Sequence, residues 1–412
     1  MPNGAPRLHW DPMLVALSVY VAVIIGRIHQ VIPGLAALKP GLASFAVALF
    51  ALFVTRSPDQ TWQKVDRTWR YVLVGLFVWE VLTIPAGIYP GVSFKLFREA
   101  ILQSMGLAVI IAIAVRGVDD VRRLIAVFVI SVAFYSLSVL RSFGLDLNTR
   151  FEGLYSYDTN DFAQVVVCAI PLGISLALQS KRLAVRLFYW LTVGVFLLIL
   201  IKSGSRGGFL GLVAVGIVAL FSWRAVRLRW RLGALTGGVV FLSIFASGMF
   251  LSRIASIADA NEDYNVTSET GRIQAWKRGM GYMAGRPLLG VGIGAFEVAE
   301  GTISALAIQA HQRGGSVKWM APHNSFVQIG AEAGVPGLVL FTGLCFWLLR
   351  HSFRIGRSGA TSQLALLGGG VCLSVIGFYV TAFFLSQAYS AILYFLAGIV
   401  AGLARFRSST PI

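Results

Sequence analysis

Twelve long apolar runs, separated by polar connections, dominate this sequence. They lie at about 12–32, 36–55, 71–89, 96–115, 122–140, 161–179, 187–203, 206–223, 233–251, 325–349, 363–384 and 387–404. A helix needs about 20 mostly apolar residues to cross the hydrocarbon core of a bilayer, so each run is predicted to be a transmembrane helix. Barrel strands solve the same backbone hydrogen-bonding problem with short, alternating segments, and these runs are continuous. A composition of 57% hydrophobic and 13% charged residues over 412 positions excludes an ordinary water-soluble domain. The expected fold is therefore all-α: a polytopic membrane protein with about 12 transmembrane helices. No internal repeat or low-complexity linker divides it, so residues 1–412 are expected to form a single membrane domain.

The formal net charge of +17 raises the question of a nucleic-acid partner, and the placement of the 35 basic residues answers it. With the N-terminus in the cytoplasm, the cytoplasmic segments hold 20 of them, the short external connections 8, and one long external segment 7. Alternate loops thus follow the positive-inside rule. The predicted orientation has both termini cytoplasmic, and no nucleic acid is needed to explain the charge. Cys168, Cys345 and Cys372 fall inside predicted spans, where they act as small apolar residues and offer no disulfide or zinc spacing. No cleavable signal pattern stands out, so the first helix is expected to direct insertion.

Residues 252–323, between the ninth and tenth spans, contain no spanning run and are expected to form one large external loop. The loop begins with an acidic stretch, Asp259, Glu262, Asp263 and Glu269. Thr267, Ser268 and Thr270 then offer caps for an amphipathic helix in which Ile273, Trp276, Met280 and Met283 recur at helical spacing. Arg272, Lys277 and Arg278 fall elsewhere on that wheel. The helix reads either as an interfacial anchor with snorkelling basic residues or as a face lining a site for an anionic lipid headgroup.

Charged groups at membrane level are few: Glu80 in the third span, Arg98 and Glu99 at the start of the fourth, and Glu332 in the tenth. A secondary transporter would show more midplane ionisable groups and paired broken helices. Three polar motifs instead flank external helix ends. The first, Lys202-Ser203-Gly204-Ser205-Arg206-Gly207-Gly208, joins two spans by a tight turn. Its small residues would let amides approach an anion at a positive helix end, with Lys202 and Arg206 adding charge. A plain Gly/Ser turn explains the same residues. The second is Thr270-Gly271-Arg272, followed by the glycines of 285–294; no strand or GK[ST] ending supports a nucleotide loop, and tight packing suits those glycines better. The third is Pro322-His323-Asn324-Ser325, running on to Glu332 and Gly334-Val335-Pro336-Gly337. His323 is the histidine best placed for proton transfer, whereas Asn324 or Ser325 would serve as a helix cap. Tyr155 to Asp161 precede the sixth span and read as a cap, by Asp158 or Asn160, or as sugar contacts. No second ligand stands at metal spacing.

In this order, and with the large loop before the His-Asn pair, the three motifs resemble those of the bacterial O-antigen ligase and O-antigen polymerase superfamily, most closely the ligases. The motif agreement covers about 200–345. The resemblance implies a metal- and cofactor-independent glycosyltransferase of lipopolysaccharide biosynthesis, acting at the periplasmic face of the bacterial inner membrane. Its donor would be a glycan on undecaprenyl diphosphate and its acceptor a sugar hydroxyl of lipid A-core. By motif, Arg206 and Arg272 would hold the diphosphate and stabilise the leaving group, and His323 would be the general base. Lys202, Ser205 and Asn324 would line the substrate site. The alternatives are a polymerase joining lipid-linked repeats and, from another class, a lipid-linked glycan transporter that would depend on Glu80 rather than His323.

Overall fold

In the computed structural model the described residues are 10–407, apart from 33, 56, 58–59, 155, 258–263 and 358–362. Arg7, Arg56, Tyr155, Asp259, Glu262, Asp263 and both chain ends lie outside them. The described residues form helices and no strand. Every predicted run contains a helix, but the helices fall into two groups. Eight are long and apolar enough to cross a membrane: α3 (Arg67–Ala86), α4 (Pro90–Ala114), α5 (Val118–Phe143), α6 (Thr159–Gln179), α7 (Leu183–Ser203), α9 (Leu228–Phe245), α14 (Ser325–Gly356) and α15 (Gln363–Ala382). Four apolar helices are shorter: α1 (Pro12–Ile24), α2 (Pro40–Thr55), α8 (Arg206–Ser222) and α16 (Ala391–Arg407). The shortening of α1 has a local cause. Its run is interrupted where Arg27 takes a left-handed conformation, with φ of 51°.

Besides the single turn Tyr264–Thr267, the described residues of 246–324 hold four helices of a different kind: α10 (Gly248–Ala255), α11 (Arg272–Gly285), α12 (Phe296–Thr302) and α13 (Ala305–Gln312). The amphipathic helix expected here is α11, but its start differs from expectation. Gly271 occupies the cap position and no side chain caps the helix. Ser268 and Thr270 instead bond to each other and to the turn before it.

α6 is the centre of the bundle. It packs on α7, α8 and α15, and 83% of its apolar window is buried. α9 is the opposite case: none of its window is buried against the protein, so its apolar surface is left for lipid. The core is continuous through most of the bundle.

α14 decides how the 246–324 segment docks. At Gly334 its backbone leaves the helix (φ 70°, ψ −171°), two residues before Pro336, which has no N–H to offer. Such a break inside a spanning helix strands carbonyls that must find donors. They find them in the glycine-rich loop: the Val291 and Gly292 amides donate to the Ala331 and Glu332 carbonyls, both at 2.9 Å. Val335 N–H donates back to the Pro287 carbonyl at 2.8 Å. A Cβ at Gly334 would meet the Leu288 oxygen at 2.2 Å, so only glycine permits this approach as well as this φ. The glycines of 285–294 therefore serve docking, as their tight-packing reading had it.

Candidate active site

The three motifs meet at one end of the bundle. α7 ends at Ser203, and Gly204, in a left-handed conformation with φ of 56°, turns the chain into α8. The Ser205 hydroxyl caps α8 by accepting from Gly208 N–H at 3.2 Å. Arg206 is thereby fixed as the first residue of that helix, half-buried, with a guanidinium N–H donating to the Ser256 hydroxyl just past α10 at 3.4 Å. Arg272 is likewise the first residue of α11. Because no side chain caps α11, its first-turn amides add partial positive charge beside that guanidinium.

His323 sits in the connection into α14. Its φ is 45°, a left-handed conformation that costs a non-glycine residue of order 1 kcal/mol or more. The backbone is held there from three sides. Its own N–H donates to the Ser386 hydroxyl at 2.9 Å, Trp276 of α11 donates its indole N–H to the Pro322 carbonyl at 2.7 Å, and Asn324 caps α14 by accepting from the Phe326 and Val327 amides. The imidazole nitrogens themselves have no hydrogen-bond partner among the described residues. Burial, then the nearby positive charge of Arg272, push the imidazole down to about 4, with Asp158 opposing and Lys318 assisting. At neutral pH this histidine is uncharged and able to take a proton.

The remaining site candidates occupy supporting places. Lys202 is fully buried and donates its ammonium to the Asp146 carbonyl at 2.7 Å and the Thr149 carbonyl at 3.4 Å. It anchors the 146–149 loop and neither snorkels nor faces the turn's open side. Asn324 and Ser205 have their side-chain oxygens committed to helix caps. Asp158 caps α6 by accepting from the Asn160 and Asp161 amides, as one of its two readings proposed. Arg278, read as a snorkelling or headgroup-facing cation, is instead paired with Glu300 of α12, with contacts of 2.6 and 2.9 Å, and Tyr282 donates to the same carboxylate at 2.7 Å. This ion pair locks α11, and with it Arg272 and Trp276, against α12.

Three groups belong here that sequence reasoning passed over. Arg150 donates from Nε to the Ser203 carbonyl at 2.8 Å and from Nη2 to Asn160 at 3.0 Å. Arg253 of α10 donates from Nε to the Gly204 carbonyl at 2.9 Å. Gln387 donates to Asp161 at 2.7 Å, tying the start of α6 to the loop after α15 that holds the His323 backbone. In the sequence Arg150 was one basic residue of an external connection and Arg253 one of a long loop; nothing local marks either.

Apart from this end of the bundle stand two acids inside spanning helices. Glu80 of α3 is completely buried and neither carboxylate oxygen has a hydrogen-bond partner among the described residues. Glu332 of α14 is almost as buried but saturated: it accepts from Gly294 N–H at 2.8 Å, Tyr389 OH at 2.6 Å and Phe296 N–H at 3.3 Å.

The family model described as O-antigen ligase matches residues 191–342. The matched stretch runs from within α7 to within α14 and includes Arg206, Arg272 and His323. It agrees with the superfamily that the three motifs resemble. No curated protein matches the chain.

Proposed function

We propose, taking the O-antigen ligase match over residues 191–342 as the premise, that this membrane protein transfers a glycan from undecaprenyl diphosphate to a sugar hydroxyl of lipid A-core at the periplasmic face of the inner membrane. The observation that carries the reading is the juxtaposition of an uncharged, unpartnered His323 imidazole with the Arg272 guanidinium, close enough for the arginine's charge to act on it. A glycosyl diphosphate needs both functions: a base at the attacking oxygen and positive charge at the leaving one.

In the proposed reaction the acceptor hydroxyl oxygen attacks the anomeric carbon while His323 takes its proton. The bond from that carbon to the phosphate oxygen breaks, and the electron pair leaves on undecaprenyl diphosphate. Arg206 and Arg272 neutralise the charge that gathers there, helped by the uncapped amides of α11. Attack from the face opposite the leaving group predicts inverted configuration at the anomeric carbon. An imidazole titrating near 4 is a weak base; the negative charge of the diphosphate beside Arg272 offsets the arginine's share of that lowering, while burial sets the rest.

The test is transfer by purified protein in detergent from an undecaprenyl-diphosphate-linked glycan, with lipid A-core or a second lipid-linked repeat as acceptor and His323→Ala beside the wild type. Product on lipid A-core that vanishes in the variant supports the ligase. Longer lipid-linked chains would select the polymerase, which the same site serves equally. Full activity in His323→Ala would remove the general-base assignment.

A further inference from the structure

We propose that Arg150 and Arg253 are binding residues of the same anion site, so that four guanidiniums form a cradle built for a diphosphate; this rests on the transfer reading above. The geometry begins at the end of α7. The carbonyls of Ser203, its last residue, and of Gly204, its cap, accept from the Nε–H groups of Arg150 and Arg253 at 2.8 and 2.9 Å. A guanidinium carries five N–H donors. Arg150 uses its Nη2 on Asn160, leaving Nη1 unpartnered, and both terminal nitrogens of Arg253 are unpartnered among the described residues. The carbonyls thus fix the planes of two arginine forks without consuming the donors that would meet a ligand.

The turn itself is shaped for this. A Cβ at Gly204 would stand 2.9 Å from the Arg253 Cδ and 2.8 Å from the Met249 Sδ, so the glycine provides the seat of Arg253 as well as the left-handed φ. Arg206 is held to the same small helix through Ser256, whose hydroxyl donates to the Arg253 carbonyl at 2.8 Å. Arg272 closes the ring electrostatically. Burial and the charges of Arg253 and Arg272 lower Arg150 from its ordinary value, with Asp158 opposing. Like charges brought together at this cost around Arg150, with Asp158 beside them, are stabilised by a ligand carrying at least two negative charges, and two linked phosphates span two forks better than one.

Binding of inorganic pyrophosphate and of orthophosphate to the detergent-purified full chain, followed by calorimetry, tests this. Wild type is expected to favour pyrophosphate by about tenfold or more, and Arg150→Gln and Arg253→Gln each to weaken pyrophosphate by about tenfold. If either glutamine variant unfolds, Arg150→Lys and Arg253→Lys keep the charge but lose the planar fork, and should bind pyrophosphate several-fold more weakly. Pyrophosphate binding within twofold of wild type in folded Arg150 and Arg253 variants, beside its loss in Arg206→Gln, would reduce the two arginines to caps of α7 and leave the transfer reading standing. Absence of pyrophosphate binding in wild type, together with full transfer by Arg206→Ala and Arg272→Ala, would overturn both.

Discussion

The end of the bundle around His323 and the interior around Glu332 each hold several polar groups away from water, and they use them differently. At the bundle end the charged groups have donors to spare: the forks of Arg150 and Arg253 are anchored by one or two bonds each, and the His323 ring by none. In the interior Glu332 has both oxygens engaged by Gly294, Phe296 and Tyr389, while the Glu80 carboxylate has no hydrogen-bond partner among the described residues although Glu332 is near enough for their charges to interact. A saturated carboxylate holds a structure in place. A set of oriented, unsatisfied donors beside a neutral base awaits a ligand. The difference favours chemistry at the helix ends over translocation through the interior.

The largest expected effect that sharpens this contrast is at Arg272. Arg272→Ala removes a preorganised donor from the leaving group and should lower the transfer rate about 100- to 1000-fold, with a melting temperature close to wild type because Arg272 begins a helix otherwise held by Arg278 and Glu300. A comparable loss of melting temperature would move Arg272 to the structural side. Next in size is Glu332→Gln, which turns an acceptor against donors that need it. It should destabilise by roughly 1–3 kcal/mol, read as a lower melting temperature and loss of protection of the 290–296 amides in hydrogen exchange. A stable variant that is catalytically dead would instead place Glu332 in the reaction.

A third effect is a titration. The histidine must be neutral to accept a proton, so its activity is present above its pKa and lost as pH falls through it. With His323 at about 4, kcat/KM should stay level from neutrality down to about pH 5 and decline only below that. Labelled-histidine NMR should place the midpoint of the free protein near 4 and move it upward by about one pH unit when pyrophosphate neutralises the arginine field. A midpoint at the ordinary 6.5 would mean that the burial and the Arg272 charge that lower His323 are not both acting on it, and a midpoint that pyrophosphate leaves unmoved would mean that Arg272 and His323 do not share a field.

Much of this was legible in the sequence, and the boundary of legibility has a physical form. Continuous apolar runs report burial in lipid, so each run yields a helix. Length alone does not show where a run breaks, as at Arg27 and Gly334, because those breaks are set by backbone conformations that other segments stabilise. His323, Arg206 and Arg272 were visible because each sits beside helix-terminating glycines, caps or prolines. Arg150 and Arg253 were not, since their partners lie 53 and 49 positions away and a guanidinium's role depends on which carbonyl it meets. Lys202 shows the converse: it stands within the motif, yet the 146–149 loop passes over it and takes its charge.

The smallest expected effect is the one that could break the comparison outright. The Glu80 carboxylate is buried without a hydrogen-bond partner among the described residues inside α3, where an ionised carboxylate costs several kcal/mol. Replacing it by glutamine keeps the shape and removes the possibility of charge, and replacing it by leucine removes the polarity as well. Neither change breaks a hydrogen bond, because none is made, and neither touches the arginine cradle. Transfer by Glu80→Gln is therefore expected to stay within about twofold of wild type, inside the range of surface-like substitutions, and Glu80→Leu should fold at least as stably. A carrier that moved a lipid-linked glycan through the bundle would behave in the opposite way, tolerating His323→Ala and failing without the interior acid. Measuring transfer for Glu80→Gln and His323→Ala in the same membranes sets the two regions directly against each other. Loss in the first with retention in the second would assign function to the interior.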